Sequence, residues 1–319
     1  MAERKILNRV KTNRLDSIIY EDQVGIEWQP EIKSVRITMN RPETKNSMPI
    51  AFWDWLSSFI TNNLDVNDEV KSWVLAAEGP NFGGGNDANE LGYYIGFGTG
   101  KTETERKRPT QRQRIMADHI VYGAKGYEQA FHRALKVSIC EVKGQTYGQH
   151  MALAMLADIV VAADDALFTH PAYRYLGPFS NPMPIIEKLG ITKMKEMVLT
   201  AKVLTAQELA GQGHLITKMV PLKDLRKTTE EYARAISLLP MDGIYMGKAM
   251  IEQCLELRGY GFSFLQSWTA HPWSTNLSYG PDEFNFLKHR RDEGLTKALY
   301  ERDKQAPKAW RLGKARFED

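Results

Sequence analysis

The sequence predicts an α/β fold followed by a mostly helical C-terminal region. Short apolar strands alternate with segments of helical period through the first two thirds of the chain. Twice a strand runs directly into a glycine-bearing loop that opens a helix, which is an α/β signature. From Thr205 onward the pattern turns mostly helical. The boundary is placed at residue 225, with an α/β core over 1–225 and a helical region over 226–319.

Taken in order, Ser17 to Tyr20, Val24 to Trp28 and Val35 to Met39 are β-branched or alternating runs separated by turn residues, and each is expected as a strand. Asn40-Arg41-Pro42 stops the third. Ser47 is an N-cap candidate for a helix over Met48 to Asn62, whose Phe52, Leu56, Phe59 and Ile60 fall on one face. Ser72 to Ala77 is an apolar run of buried-strand type that leads into Glu78-Gly-Pro-Asn-Phe-Gly-Gly-Gly-Asn-Asp87. The second unit repeats this logic with a strand over Val137 to Val142, a tight loop over Gly144 to Gly148, a helix over Met151 to Leu156 and a strand over Ile159 to Ala162. Residues 92 to 130, between the units, are polar and basic. Lys223 to Leu239, Gly247 to Leu257 and Asp282 to Lys304 are the clearest later helices.

Composition narrows the class. With 319 residues, 43% hydrophobic and 25% charged, the chain can bury a large core. Its net charge is +3, and the basic residues are dispersed, so neither nucleic acid nor a membrane surface is expected as a partner. The charged start has no apolar h-region, and the most apolar stretch, Met151 to Ala163, is broken by Asp158, well short of the ~20 residues that span a bilayer. A cytoplasmic location is expected. Cys140 and Cys254 lack CxxC partners, so neither a disulfide framework nor a thiolate metal site is expected, and no metal is assigned.

Gly96-Phe-Gly-Thr-Gly-Lys-Thr102 imitates a phosphate loop, but the GxxxxGK[ST] spacing requires glycine at 95, where the chain has Ile95. Phe82-Gly-Gly-Gly-Asn-Asp87 is more informative, because consecutive glycines let a ligand approach the main chain closely. A second such loop follows about sixty residues later in Val142-Lys-Gly-Gln-Thr-Tyr-Gly-Gln-His-Met-Ala152. Two strand-to-helix loops that each aim an N–H at one point are what an oxyanion hole requires.

With these blocks in order, the chain resembles the crotonase (enoyl-CoA hydratase/isomerase) superfamily over roughly residues 17 to 225. Ile37-Thr-Met-Asn-Arg-Pro-Glu43 with Lys45-Asn46 is similar to the family's NRPE/KNA segment, Phe82 to Asp87 to its FxxGAD loop, and Val142 to Asp158 to its VNGxAxGGGxxLxxxxD segment. Thr205 to Ile216 with Val220-Pro221 resembles its SAEEAxxxGLV and VVP block, and Phe286 to Asp292 its late helix. The resemblance implies a crotonase-like spiral of ββα units, a homotrimer or dimer of trimers, a C-terminal region serving assembly and active-site cover, and stabilisation of a thioester enolate. By position, the oxyanion donors would be the backbone N–H groups of Asn86, at the alanine of GAD, and Gln149, at the middle glycine of GGG. A non-glycine residue at 149 requires a φ/ψ open to side chains.

The departures bear on chemistry. The family's two hydratase glutamates align with Ala152 and Ala172, and methyl groups move no proton. Histidines stand near both positions, His150 and His170, and an imidazole suits acid/base work at neutral pH. Glu90 and Tyr173 are further proton-handling candidates, although Glu90 equally fits a charge at a helix N-terminus. Asp158 aligns with a structural aspartate. Lys101, Arg106, Lys107, Arg108, Arg112 and Arg114 fit either the phosphates of coenzyme A or a solvated loop. Trp268, His271, Trp273 and Tyr279 line a pocket or pack between subunits. No tightly bound cofactor is expected, and coenzyme A enters only as part of the substrate. The leading expectation is an enzyme that grips a carbonyl oxygen of an acyl-CoA or dicarbonyl compound while a histidine-activated water cleaves a C–C bond, by ring opening or retro-Claisen hydrolysis. The alternatives are an enoyl-CoA hydratase or lyase with a non-standard acid/base, and a non-catalytic scaffold.

Overall fold

The computed structural model describes residues 4–12, 15–90, 110–174, 182–211 and 215–317, without the side chains of Tyr173 and of residues 274–276. The phosphate-loop imitation and Lys101 to Arg108 lie outside the described residues.

A hairpin, β1 (Ile6–Thr12) with β2 (Leu15–Tyr20), precedes a six-stranded sheet. That sheet runs β11-β8-β6-β5-β4-β3, from β3 (Val24–Gln29), β4 (Ser34–Met39), β5 (Ser72–Ala77), β6 (Val137–Val142), β8 (Ile159–Ala163) and β11 (Lys218–Val220). All neighbours are parallel except β3 and β4. A second sheet, β10-β9-β7, contains β7 (Gln145–Tyr147), β9 (Leu167–Thr169) and β10 (Leu204–Thr205). Two successive turns of chain, β6 then β7 and β8 then β9, each lay one strand in the large sheet and a short strand in the small one before a helix. The first glycine loop joins the small sheet by a bridge between Gly83 and Thr146. The expected spiral is this repeated pattern.

Strands β5 and β6 coincide with the predicted runs, because uninterrupted apolar residues suit strands covered on both faces, and every residue of β5 is buried. The first helix, α1, spans Ile50–Phe59 and continues as one π-helical turn to Leu64. Its N-cap is Pro49, not the expected Ser47, since a carboxylate from elsewhere in the chain meets its first free N–H. The helix after the second loop, α2, spans Gln149–Leu156 and so starts two residues earlier than predicted. Beyond β11 the chain is helical, with α3 (Leu225–Ser237), α4 (Met241–Leu257) and α5 (Tyr260–Ala270). The predicted helix over Asp282 to Lys304 is two helices, Phe286–Glu293 and Leu295–Lys304, parted at Gly294 with φ +87°. Phe264, Trp268, Phe286 and Ala298 of this region belong to the main apolar core, so the helical part packs directly on the spiral.

On the face of the large sheet under α3, Arg36 of β4 bonds Glu141 of β6 at 2.5 Å across β5, both side chains being 6% exposed. Removing one partner leaves a buried charge with nothing to balance it. Arg36→Leu should therefore cost about 3–5 kcal/mol in urea unfolding, and Arg36→Met with Glu141→Leu should recover most of it.

Candidate active site

The first loop is strapped from behind by the residues that follow β4. Asn46 Nδ2 donates to the carbonyls of Glu78 and Asn81, both at 2.8 Å, while its Oδ1 accepts the Arg41 N–H. Arg41 in turn donates to the Ser47 carbonyl at 2.7 Å and pairs with Asp87 at 3.1 Å. The Arg-Pro-Glu and Lys-Asn blocks of the sequence are thus loop anchors.

The two loops meet through their main chains. Phe82 N–H donates to the Lys143 carbonyl, Gly83 N–H to that of Gln145, and Tyr147 N–H back to that of Gly83. Two bends follow, at Gly85 with φ +98° and at Gly148 with φ +57° and ψ −123°. Both demand glycine. They touch: a Cβ on Gly148 would lie 3.6 Å from Gly85 Cα, and one on Gly85 would lie 3.6 Å from the Gln149 nitrogen. Immediately after each bend come the N–H groups of Asn86 and Gln149, and among the described residues neither has an acceptor. Gln149 is the first residue of α2, where N–H groups are free of helix bonds and the dipole favours negative charge. Neither residue has positive φ, so both positions accept a side chain.

The candidate side chains separate. His150 does not face the space before the amides. It is fully buried behind the first loop, edge-on to Trp53 and Phe82, with Nδ1 accepting the Gly85 N–H at 3.0 Å and Nε2 3.2 Å from Met39 Sδ. Burial lowers its pKa to about 3. Its ring fills the space a Cβ on Gly83 would need, at 1.9 Å, so it braces the bend that presents the Asn86 N–H. His170 stands beside the second bend, because the carbonyl of the preceding Thr169 accepts the Gly148 N–H at 3.1 Å. It too is buried, and chiefly for that reason its pKa falls to about 4, with the charge of His271 adding to the effect. Glu90 is drawn elsewhere: Oε2 accepts the Ile50 N–H at 2.7 Å and Ser17 Oγ at 2.9 Å, which makes it the missing cap of α1. It caps a neighbouring helix and not its own. Desolvation raises its pKa. The Tyr173 side chain lies outside the described residues, its backbone being part of the turn Pro171–Arg174. Asp158 has the expected structural role, accepting the Ser138 N–H and pairing with Lys248.

Sequence reasoning missed a buried polar group that the helices Gln111–Val121 and Tyr127–His132 bring against α5. Tyr127 Oη donates to Gln149 Oε1 at 2.5 Å, and Trp268 Nε1 to Glu128 Oε2 at 2.7 Å. Trp268 stacks on Tyr122 at 4.6 Å. His271 Nδ1 lies 3.2 Å from Asp118 Oδ2, and Arg114 lies 3.5 Å from the same oxygen. Arg114, Asp118 and Glu128 are all fully buried. Arg114 therefore belongs to an internal ion pair, which corrects both its reading as a phosphate ligand and its reading as part of a solvated loop. The i,i+4 spacing of Arg114 and Asp118 was the available signal, hidden within a segment read only as polar and basic. His132, Glu252 and Glu256 also gather within 4.8 Å of one another, with Arg133 paired to both carboxylates.

Comparison with known proteins supports this architecture. A family model described as enoyl-CoA hydratase/isomerase matches residues 33–259. The chain is 25% identical over 298 residues to a putative enoyl-CoA hydratase, EchA13, of Mycobacterium tuberculosis, covering 83% of this chain and 87% of that one. It is 28% identical over 225 residues to the human enoyl-CoA hydratase domain-containing protein 3, mitochondrial, covering 67% and 64%. Among solved structures, an enoyl-CoA hydratase/isomerase from Xanthobacter autotrophicus Py2 superposes with a TM-score of 0.71 at 21% identity, over 89% of this chain and 98% of that one.

The two depressed histidines set a pH dependence. The unfolded chain takes up protons below pH 6.5, whereas folded His150 and His170 do so only near 3 and 4. Their stabilising contribution is complete above pH 6.5 and is lost as pH falls toward those values, by up to about 1.4 kcal/mol per pH unit for each. Urea midpoints should drop between pH 6.5 and 4, and His150→Gln should flatten that slope.

Proposed function

The chain belongs to the enoyl-CoA hydratase/isomerase family, and from that premise we propose that it holds one carbonyl oxygen of an acyl-CoA or related dicarbonyl substrate between the N–H groups of Asn86 and Gln149, and adds water with cleavage of a C–C bond. The observation that supports this reading is the contact between Gly85 and Gly148, each of which immediately precedes a residue whose N–H has no acceptor among the described residues. Donors fixed before reaction stabilise a developing oxyanion by about 2.7–4 kcal/mol each.

Proton transfer falls to imidazole, since Ala152 and Ala172 occupy the positions of the family's paired glutamates. His170 adjoins the Gln149 amide. His271, which pairs with Asp118, is close enough to His170 to lower its pKa. Nδ1 of His271 meets the Asp118 carboxylate at 3.2 Å and the Arg114 guanidinium at 3.4 Å, and with Nδ1 protonated toward Asp118 its Nε2 is the basic atom, the arrangement of an oriented general base. In the proposed sequence, water adds to one carbonyl as its proton passes to the imidazole. The bond from that carbonyl to the α-carbon breaks, and its electron pair becomes an enolate whose oxygen sits between the two amides. The imidazolium returns the proton to the α-carbon. The products are a carboxylic acid and the shortened carbonyl compound.

A second reading, hydration of an enoyl-CoA, is favoured by the names of the relatives. With Glu90 engaged at α1, it would fall to Tyr173 or His170. An assembly of three or six chains, in either reading, would cover Met246, Met250, Leu257 and Phe262, which are at least 65% exposed on α4 and α5. Among the described residues no helix is long and apolar enough to cross a membrane, and a cytoplasmic location is proposed.

Gly148→Ala should lower kcat by about 10²–10³ while the fold is kept, because the bend, and with it one donor, is lost. His271→Ala and His170→Ala should lower kcat by about 10²–10⁴ on a 3-oxoacyl-CoA or cyclic β-diketone, followed by mass of the acid released. Wild-type rates in both histidine variants, or turnover of an enoyl-CoA alone, would replace this reading with the second.

A further inference from the structure

Asn86 brings more than its amide to the gripped oxygen. Its Oδ1 is buried and has no hydrogen-bond donor, and its Nδ2 has no acceptor among the described residues. Three other carboxamides around the two loops are engaged. Asn46 uses both ends to hold the first loop, Asn81 Oδ1 accepts the Gln145 N–H at 3.0 Å, and Gln149 Oε1 accepts from Tyr127. The groups flanking Asn86 are paired: Met48 N–H donates to the Gly85 carbonyl, Asp87 N–H to that of Met48, and Arg41 donates to the Asp87 carboxylate. A buried carbonyl oxygen with no donor is destabilising, and a ligand that supplies an O–H relieves that cost.

We propose that Asn86 is a specificity-determining residue that selects acyl groups carrying a second oxygen, as a hydroxyl or an enolised carbonyl, close to the carbonyl held by the two amides. The inference rests on that carbonyl-binding reading. Its geometry is local. The side chain springs from the residue whose N–H grips the first oxygen, so it reaches only an atom a few bonds away along the substrate. A carboxamide offers an acceptor and a donor side by side, which matches a hydroxyl that both donates and accepts. The alanine at this position in the family motif offers neither.

The test is calorimetric titration of the full chain with butanoyl-CoA and 3-hydroxybutanoyl-CoA, for wild type, Asn86→Ala and Asn86→Ser. Wild type should bind the hydroxylated thioester about tenfold more tightly, the ratio that corresponds to about 1.4 kcal/mol, and Asn86→Ala should bring that ratio within about twofold. Asn86→Ser, which keeps a hydroxyl, should retain part of the preference and serves as the comparison if the alanine variant melts early. Equal affinity of wild type for both thioesters, or an undiminished ratio in Asn86→Ala, overturns the inference alone. Binding of neither thioester overturns the carbonyl-binding reading and this inference with it.

Discussion

The structure depends on one close contact between two main chains. Gly85 and Gly148 lie in different turns of the spiral, more than sixty residues apart, yet a Cβ added to Gly148 would lie 3.6 Å from the Gly85 α-carbon. Only residues without a Cβ can hold these dihedrals, and only paired strands can bring the bends to this distance. The three exchanged hydrogen bonds between Phe82–Gly83 and Lys143–Tyr147 supply that pairing. Asn46, Arg41 and Asp87 then fix the first loop from one side, and His150 fixes it from the other. The chemistry at the surface of this contact is the consequence of an arrangement in which the backbone groups that hold the two loops together are paired with one another, while the N–H groups of Asn86 and Gln149 are left over.

Much of this was legible in the chain. Strands such as Ser72 to Ala77 stand out because burial on both faces leaves an unbroken apolar run between turn residues. The glycine loops stand out because their spacing after a strand has few other uses. What escaped notice is equally physical. The hairpin strand Ile6–Thr12 is too polar to read as a strand, and β7 and β9 are three residues long, too short for any period to register. Gly294 ends one helix and begins another without disturbing the apolar spacing around it.

The side chains of the site were harder to place, because sequence position assigns a residue to a segment but not to a face. His150 and His170 both lie on the expected segments. The space over Gly83 admits an imidazole, and His150 takes it, turning toward Trp53 and Phe82. Glu90 is likewise claimed by an unsatisfied N–H at the start of α1, a demand visible only once β2 and α1 are seen side by side. The Asp118–His271 pair joins residues 153 positions apart, a distance no local pattern spans.

The imidazole seated against Gly83 also constrains how this sequence can change. An alanine at 83 and a histidine at 150 exclude each other sterically, since the methyl carbon would fall inside the ring. Substitutions at the two positions are therefore epistatic: position 150 must shrink before position 83 can grow. The ancestry of this loop should record that order, with the glycine conserved in every descendant that keeps the histidine.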